Sequence, residues 1–216
     1  MIHLVLPVNS YILEFMFELL TGIILRTFPS NRVCIFTRHL GKIFCVTKGI
    51  KSPLVAGSTI VFHLTAKTKD RFVIDYLESV SYPLIGLPIE LAWLHHLLEL
   101  YYFFLPEHQA NPRDFDFFAQ YVAMTNQGGE KNKMGPLQEL AVSHFLVQTG
   151  FYEQPVLHHC AKIFEEVIDP SINPGVPSSV ISPKERSTRD LILRCLQEHP
   201  QFNQFKTIPF LYGAHT

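Results

Sequence analysis

The stretch of sequence that decides the fold is residues 32–47, RVCIFTRHLGKIFCVT. Two runs rich in β-branched and aromatic side chains, RVCIFT and KIFCVT, flank the short loop RHLG, which is the pattern of a β-hairpin. We predict strands over 32–37 and 42–47, with Thr37 opposite Lys42 across the loop. This register places Cys34 opposite Cys45, and we interpret the two as buried thiols rather than as a disulfide.

Segments of the same composition lie on both sides of this hairpin. We predict strands over 22–27, 58–66 and 71–80, with the last two joined in a second hairpin around KTKD. Five short strands within about sixty residues fit a small barrel better than a sandwich. The first part of the chain, residues 21–82, is therefore predicted to be an OB-fold β-barrel.

The pattern changes from alternation to helical periodicity near residue 88. Pro88 can begin a helix and Pro106 must end one. Further helices are predicted over 111–129, 135–150, 156–167 and 183–200. We therefore predict an α+β protein in which the barrel is followed by an all-α helical bundle, residues 83–216. Residues 1–20 are assigned to an N-terminal extension.

Charge is distributed unevenly along a chain whose net charge is −1. Residues 1–72 contain nine Lys and Arg against three Asp and Glu, and the rest of the chain contains nine against sixteen. This asymmetry indicates a basic module joined to an acidic one, or chance clustering on two solvated faces. The net charge of the whole chain gives no electrostatic case for nucleic acid.

The cations of the first module lie on and around the hairpin, and we predict that they contact nucleic-acid phosphates. The candidates are Arg26, Arg32, Arg38, Lys42, Lys48 and Lys51. Proteins that bind single strands combine such cations with aromatic rings on which bases stack. The candidate rings are Phe28, Phe36, Phe44 and Phe62, although a phenylalanine in a strand lies more often in the core.

The sequence shows few signs of disulfides, metal binding or catalysis. The four cysteines form no CxxC pair, and their wide spacing predicts a reducing cytoplasm. Adjacent helical residues point about 100° apart, so His95–His96 and His158–His159 do not predict a metal site. No P-loop, G-x-S-x-G, G-x-G-x-x-G or H-E-x-x-H motif occurs. We therefore predict no enzyme, cofactor, metal, small-molecule substrate or membrane partner.

The order of these elements resembles RecO, a family of bacterial DNA repair proteins that act as recombination mediators. The stretch GIILRT…IFTRHLGKIFCVTKGIK is similar to the family's opening, with its Thr-x-x-x-Gly-Lys turn and its Lys-Gly-x-(Lys/Arg) run. The matching residues are Thr37, Gly41, Lys42, Lys48, Gly49 and Lys51. A weaker similarity lies within residues 139–160, at Val147, Gly150, Pro155, Leu157 and Cys160.

The resemblance implies an N-terminal OB domain and a helical C-terminal domain. It also implies binding to single- and double-stranded DNA, strand annealing, and work with RecR and single-stranded DNA-binding protein to load RecA. Some members bind zinc through four cysteines, and we expect no zinc because this chain has only Cys160 in that region.

A protein partner with an acidic tail that ends in an apolar residue needs an apolar pocket with a basic rim. The basic cluster of the acidic half consists of Arg186, Arg189, Arg194 and Lys206. Two other classes stay open at this point. One is an OB module that binds RNA or another oligoanion, and the other is an adaptor whose basic hairpin contacts an acidic protein surface.

Overall fold

A computed structural model describes residues 19–68, 71–83, 88–126, 134–150, 155–168 and 185–213. Nearly all of the assigned extension, residues 1–20, lies outside these ranges. The chain divides into two compact units, which are Met1–Tyr82 with Pro106–Asn111, and Pro83–Leu105 with Pro112–Thr216. We call them the barrel unit and the helical unit. In the described part of the chain, no helix combines the length and the apolar character that crossing a membrane requires.

Five strands form the barrel unit: β1 (Leu20–Phe28), β2 (Arg32–Thr37), β3 (Gly41–Thr47), β4 (Thr59–Thr68) and β5 (Arg71–Ser81). They close in the order β1-β2-β3-β5-β4, with β1 paired to β4. Every neighbouring pair is antiparallel except β3 and β5, which run parallel. The prediction of a small five-stranded barrel ahead of a set of helices is confirmed.

The interior of the barrel is filled by apolar side chains from all five strands. These are Leu20, Ile24, Val33, Ile35, Ile43, Cys45, Ile60, Phe62, Leu64, Phe72 and Ile74. Gly22 pairs with both Thr37 and Ile60 where the barrel closes. A Cβ on Gly22 would lie 3.2 Å from the Phe62 ring, so a residue without a side chain suits this closure.

The register of the first hairpin is one residue away from the predicted one. Thr37 pairs with Gly41 and not with Lys42, so the loop holds three residues rather than four. Gly41 has φ +68°, a left-handed conformation that glycine adopts without strain. The Thr37 hydroxyl donates to the carbonyl of Gly41 and accepts from the amide of Leu40, each at 3.1 Å. These two bonds fix the turn and with it the register.

A shift of one residue changes which side chains face each other across a hairpin. Cys34 pairs with Phe44, and Cys45 pairs with Val33, so the predicted facing of the two cysteines is wrong. Cys45 belongs to the barrel interior, and the alternation of side chains puts Cys34 on the outer face of the sheet. Both are free and buried thiols.

The barrel unit also includes a connecting segment, Pro106–Asn111, from far along the chain. β5 pairs only with residues 45–47 of β3, so the first residues of β3 can pair with another segment along the same edge. The connecting segment lies there, with Glu107 in a parallel bridge to Lys42 and the His108 amide donating to the Lys42 carbonyl at 3.0 Å. The backbone of Gln109 packs so close to Gly41 that no Cβ would fit at residue 41.

The helical unit contains α1 (Pro88–Phe104), α2 (Pro112–Asn126), α3 (Met134–Gln148), α4 (Pro155–Ile168), α5 (Glu185–Gln197) and α6 (Ile208–Tyr212). A short 3₁₀ helix spans Phe202–Gln204. α3 is the central helix: residues 137–146 are all buried, and it packs against α1, α2, α4 and α5. The Tyr101 ring stacks on the Phe118 ring at 4.1 Å, which joins α1 to α2.

Candidate nucleic-acid interface

A bulge in β1 decides which side chains reach the outside of the barrel. Ile24 pairs with Ile35, but the next pair is Arg26 with Cys34, so Leu25 is the extra residue. A bulge re-aims the residues that follow it. Without the extra residue, alternation would turn Arg26 toward the interior, whereas here it shares the outer face with Cys34. Phe28, opposite Arg32, follows it on the same face.

The exposed end of this outer face combines cations with aromatic rings. The Arg26 guanidinium carbon lies 5.2 Å from the centre of the Phe28 ring. The Phe28 and Phe44 ring centres are 6.1 Å apart and their planes are tilted by 44°. Both rings are only half-buried, whereas Arg26 is exposed. Cations beside accessible rings are the combination that single-stranded nucleic acid requires.

Arg32 and Lys48 extend this surface at the same end of the barrel. Arg32 is exposed and pairs with Phe28 on one side and Val46 on the other. The Lys48 amide donates to Ile74 at 3.0 Å, which continues the β3–β5 ladder beyond the strand. Lys48 is exposed and follows Val46 by two positions, so alternation places it on the same side. We call Arg26, Phe28, Arg32, Phe44 and Lys48 the basic–aromatic face.

Lys42 lies at the other end of the same face and is not exposed. It pairs with Phe36, which is fully buried, and only 7% of Lys42 is accessible to solvent. Burial lowers the pKa of its ammonium, while the nearby Cys34 and Glu107 act in the opposite direction. A lysine in this setting offers much less to a phosphate than an exposed one.

The structure therefore brings together only some of the predicted contacts. Arg38 is exposed in the β2–β3 turn and lies about 20 Å from Arg32, which is the length of β2. Lys51 is exposed in the loop between β3 and β4. Among the four candidate rings, Phe36 and Phe62 are fully buried, and Phe62 belongs to the barrel interior. Phe28 and Phe44 are the two that reach the surface.

In the helical unit, Arg189 has an intramolecular partner. Its Nε donates to Oε1 of Glu139, a side chain that is only 2% exposed, and its guanidinium lies 5.9 Å from the Trp93 ring. Arg194 and Lys206 are exposed. The side chain of Arg186 lies outside the described residues. The basic rim predicted for a protein partner thus rests on Arg194 and Lys206.

The predicted histidine pairs are split between surface and interior. His95 is exposed, whereas its neighbour His96 is fully buried. The Thr207 hydroxyl donates to Glu99 at 2.6 Å, so it accepts from Nδ1–H of His96 at 2.9 Å. Nε2 of His96 is then the acceptor for the Tyr212 hydroxyl, at 3.3 Å. Burial lowers the pKa of His96 to about 3, which makes it a neutral structural residue.

A second buried histidine, His144, belongs to a polar cluster that joins α2, α3 and α4. Its Nε2 lies 3.4 Å from Oε1 of Glu165, which also accepts from Arg113 at 2.9 Å and from Gln148 at 3.3 Å. Burial lowers the pKa of His144 to about 4. Across the described residues, no three His, Cys, Asp or Glu side chains are grouped so that they could hold a metal ion.

No family model matches the sequence, and no curated protein is significantly similar to it. The candidate interface therefore stands on the residues and the geometry of this chain.

Sequence reasoning found the cations and both surface rings but not their grouping. The β1 bulge places Arg26 on the outer face, and no residue in LTGIILRTF marks its position. Glu107 contacts the barrel unit through its bridge to Lys42. These two residues are 65 positions apart, and sequence periodicity does not reveal such a contact. One signal was present: Gly41 follows a hairpin turn, where a left-handed residue is common.

Proposed function

We propose that this chain is a DNA-binding recombination mediator of the RecO type. In this proposal it binds single- and double-stranded DNA, promotes annealing, and loads RecA together with RecR and single-stranded DNA-binding protein. It would act in the cytoplasm, the reducing compartment that its cysteines predict. The observation that carries the proposal is the basic–aromatic face, where two arginines flank two accessible rings on one side of a small barrel.

The barrel topology supports the assignment to the OB type. OB folds are five-stranded Greek-key barrels that bind oligonucleotides on a strand surface and its loops. Here five strands close in the order β1-β2-β3-β5-β4, and the candidate face lies on β1, β2 and β3. The turn between β1 and β2 is held to this face because the Thr47 amide donates to Asn31 at 2.8 Å.

The chemistry of the face fits a mediator that needs no bond-breaking step. Arg26, Arg32 and Lys48 would neutralise backbone phosphates, which supplies affinity without reading sequence. Phe28 and Phe44 would stack on unpaired bases. Neutralising two strands lowers their mutual repulsion and leaves the base edges free to pair, which is what annealing requires.

The test is a salt series of fluorescence anisotropy titrations with the full chain and a labelled single-stranded DNA. Replacing two phosphate contacts in Arg26→Ala/Arg32→Ala should weaken binding and reduce the slope of log K against log salt by about 1.4. The control is Lys162→Ala/Arg194→Ala, which removes the same charge from exposed positions of the helical unit. Equal effects of the two double variants would contradict the proposed interface.

The same titrations separate the other two classes. An RNA or oligoanion module would bind RNA of equal length more tightly than DNA. An adaptor for an acidic protein surface would bind neither nucleic acid at moderate salt. For the acidic tail of single-stranded DNA-binding protein, we propose Arg194 and Lys206 as the basic contacts, because both are exposed.

A further inference from the structure

The turn between β1 and β2 holds two neighbouring residues in the left-handed conformation. Ser30 has φ +65° and Asn31 has φ +56°. Hairpin turns with two successive positive φ angles usually contain glycine, because glycine adopts this conformation without steric cost. Asparagine enters it more readily than most residues, whereas serine seldom does. The turn therefore carries two side chains where its backbone conformation favours glycine.

Two hydrogen bonds from β3 hold this turn at the exposed end of the basic–aromatic face. The amide and the hydroxyl of Thr47 both donate to the carbonyl of Asn31, at 2.8 Å and 3.2 Å. The turn joins Phe28 to Arg32, and Thr47 directly precedes Lys48. Its two left-handed residues thus lie among the rings and cations of the face, in a position that the barrel fixes.

The side chains of Ser30 and Asn31 are available to a ligand. Both residues are exposed. Within the part of the chain that the structure describes, neither side chain makes a hydrogen bond or an ion pair, since Asn31 is bonded through its carbonyl alone. Residues in sparsely populated backbone conformations are found where the surrounding structure fixes them, and they cluster at ligand sites. The fold of the turn does not explain these two side chains, because glycine would serve it equally well.

We propose that Ser30 and Asn31 form hydrogen bonds with the edge of a base that stacks on the basic–aromatic face. This inference rests on the proposed function and adds two binding residues to the same surface. The amide of asparagine carries a donor and an acceptor side by side, as the edge of a base does. A phosphate only accepts, and the cations of the face are already there for it. The contact involves one base, so the edges of the other bases stay open to pairing.

The experiment compares Ser30→Gly/Asn31→Gly with wild type, using the full chain. Glycine keeps the positive φ angles and removes both side chains, so the urea midpoint should not fall. The probes are a labelled oligonucleotide of thymidine and a strand of the same length and charge that has abasic sites. We expect affinity for the thymidine strand to fall about three- to tenfold, as for one or two hydrogen bonds. The abasic strand should be bound with nearly unchanged affinity.

A salt series and a matched control make the result specific to a neutral contact. Since neither side chain is charged, the slope of log K against log salt should be the same in Ser30→Gly/Asn31→Gly and in wild type. The control is Ser79→Ala/Ser81→Ala, which removes two neutral polar groups from exposed positions of β5. It should change neither the affinity nor the slope.

Three outcomes would overturn the inference. An equal loss of affinity for both strands would assign the contact to the DNA backbone. A loss accompanied by a smaller salt slope would mean that the turn only positions Arg32, and unchanged affinity would mean that the turn does not touch the strand. If wild type binds and depends on Arg26 and Arg32, only this inference fails, whereas a wild type that binds no DNA at moderate salt overturns the proposed function as well.

Discussion

The guanidinium of Arg26 lies over the ring of Phe28, 5.2 Å from its centre, and both residues follow the bulge in β1. A guanidinium is planar and stacks on aromatic faces while its N–H groups stay available at the edges. Arg26 can therefore hold the Phe28 ring in place and still donate to a phosphate. The pair joins the two kinds of contact that an unpaired strand offers, a charge and a base.

Removing the two surface rings should discriminate between single and double strands. We expect Phe28→Leu/Phe44→Leu to weaken single-stranded DNA binding at least fivefold, since base stacking contributes about 1 to 3 kcal/mol per base. Duplex DNA should bind nearly as before, because its bases are already stacked on each other. Anisotropy with matched single- and double-stranded oligonucleotides measures both.

The control for the rings is Tyr76→Leu, which removes an exposed aromatic side chain from β5. It should leave both affinities unchanged. An equal loss for the single and double strands in the Phe28→Leu/Phe44→Leu variant would mean that the rings support the fold and do not stack on bases.

The two lysines of the hairpin should differ in their contribution to binding. Lys48→Ala should weaken DNA binding and reduce the salt slope by about 0.7, since Lys48 is exposed two residues beyond Val46, the partner of Arg32. Lys42→Ala should have a smaller effect on affinity, because Lys42 is 7% exposed and lies beside Glu107. Salt titrations of the two single variants check this, and a larger loss for Lys42→Ala would contradict it.

Arg189 should matter for stability rather than for a partner. Arg189→Ala removes one cation from the buried Glu139 carboxylate, and we expect the free energy of unfolding to fall by about 2 kcal/mol. Replacing the carboxylate as well, in Arg189→Ala/Glu139→Gln, should restore part of this loss. Urea unfolding measures both variants. If the double variant is no more stable than Arg189→Ala, the ion pair does not explain the loss.

The buried His96 should make stability depend on pH. Its folded pKa of about 3 lies below the ordinary 6.5, so the unfolded chain binds the proton first. Its contribution is therefore present above pH 6.5 and is lost as the pH falls toward 3, by about 1.4 kcal/mol per pH unit. We expect His96→Gln to flatten the dependence of the urea midpoint on pH between 6.5 and 4.

Asp114 acts in the opposite direction over part of this range, because burial raises its pKa to about 6 and its folded form binds a proton first. Asp114 contributes equally to the pH dependence of stability in wild type and in His96→Gln, so its contribution cancels when the two are compared. His95→Gln, at the exposed neighbouring position, is the matched control and should leave the pH dependence unchanged. Equal slopes in wild type and His96→Gln would show that His96 is not the cause.

The elements of this fold could be predicted because they depend on local patterns. GKIFCVT is rich in β-branched and aromatic residues, PIELAWLHHLLELYYFF is long and apolar enough for a buried helix, and proline marks the start of α1 and of α2. The register could not be read in the same way, since it depends on the left-handed conformation of Gly41 and on the bonds of the Thr37 hydroxyl. The residue composition of this region is the same whether the loop holds three residues or four, so composition does not reveal the register.

The last helix shows a second limit. α6 has only five residues, too short to form by propensity alone, and it was not predicted. It begins beside Glu99, whose carboxylate accepts from the Lys206 amide at 3.0 Å and from the Thr207 amide at 3.2 Å. These bonds join residues more than 100 positions apart, and single-sequence patterns carry no information about such pairs.

The connecting segment has a consequence for how the barrel should be studied. A fragment that stops at residue 82 would lack Glu107 and His108, so the carbonyl of Lys42 would lose its hydrogen-bond donor. It would present an uncovered strand edge at the start of β3, and such edges recruit other chains. Self-association of this truncated barrel would then imitate cooperative binding to DNA, whereas an internal deletion that retains residues 106–111 would not.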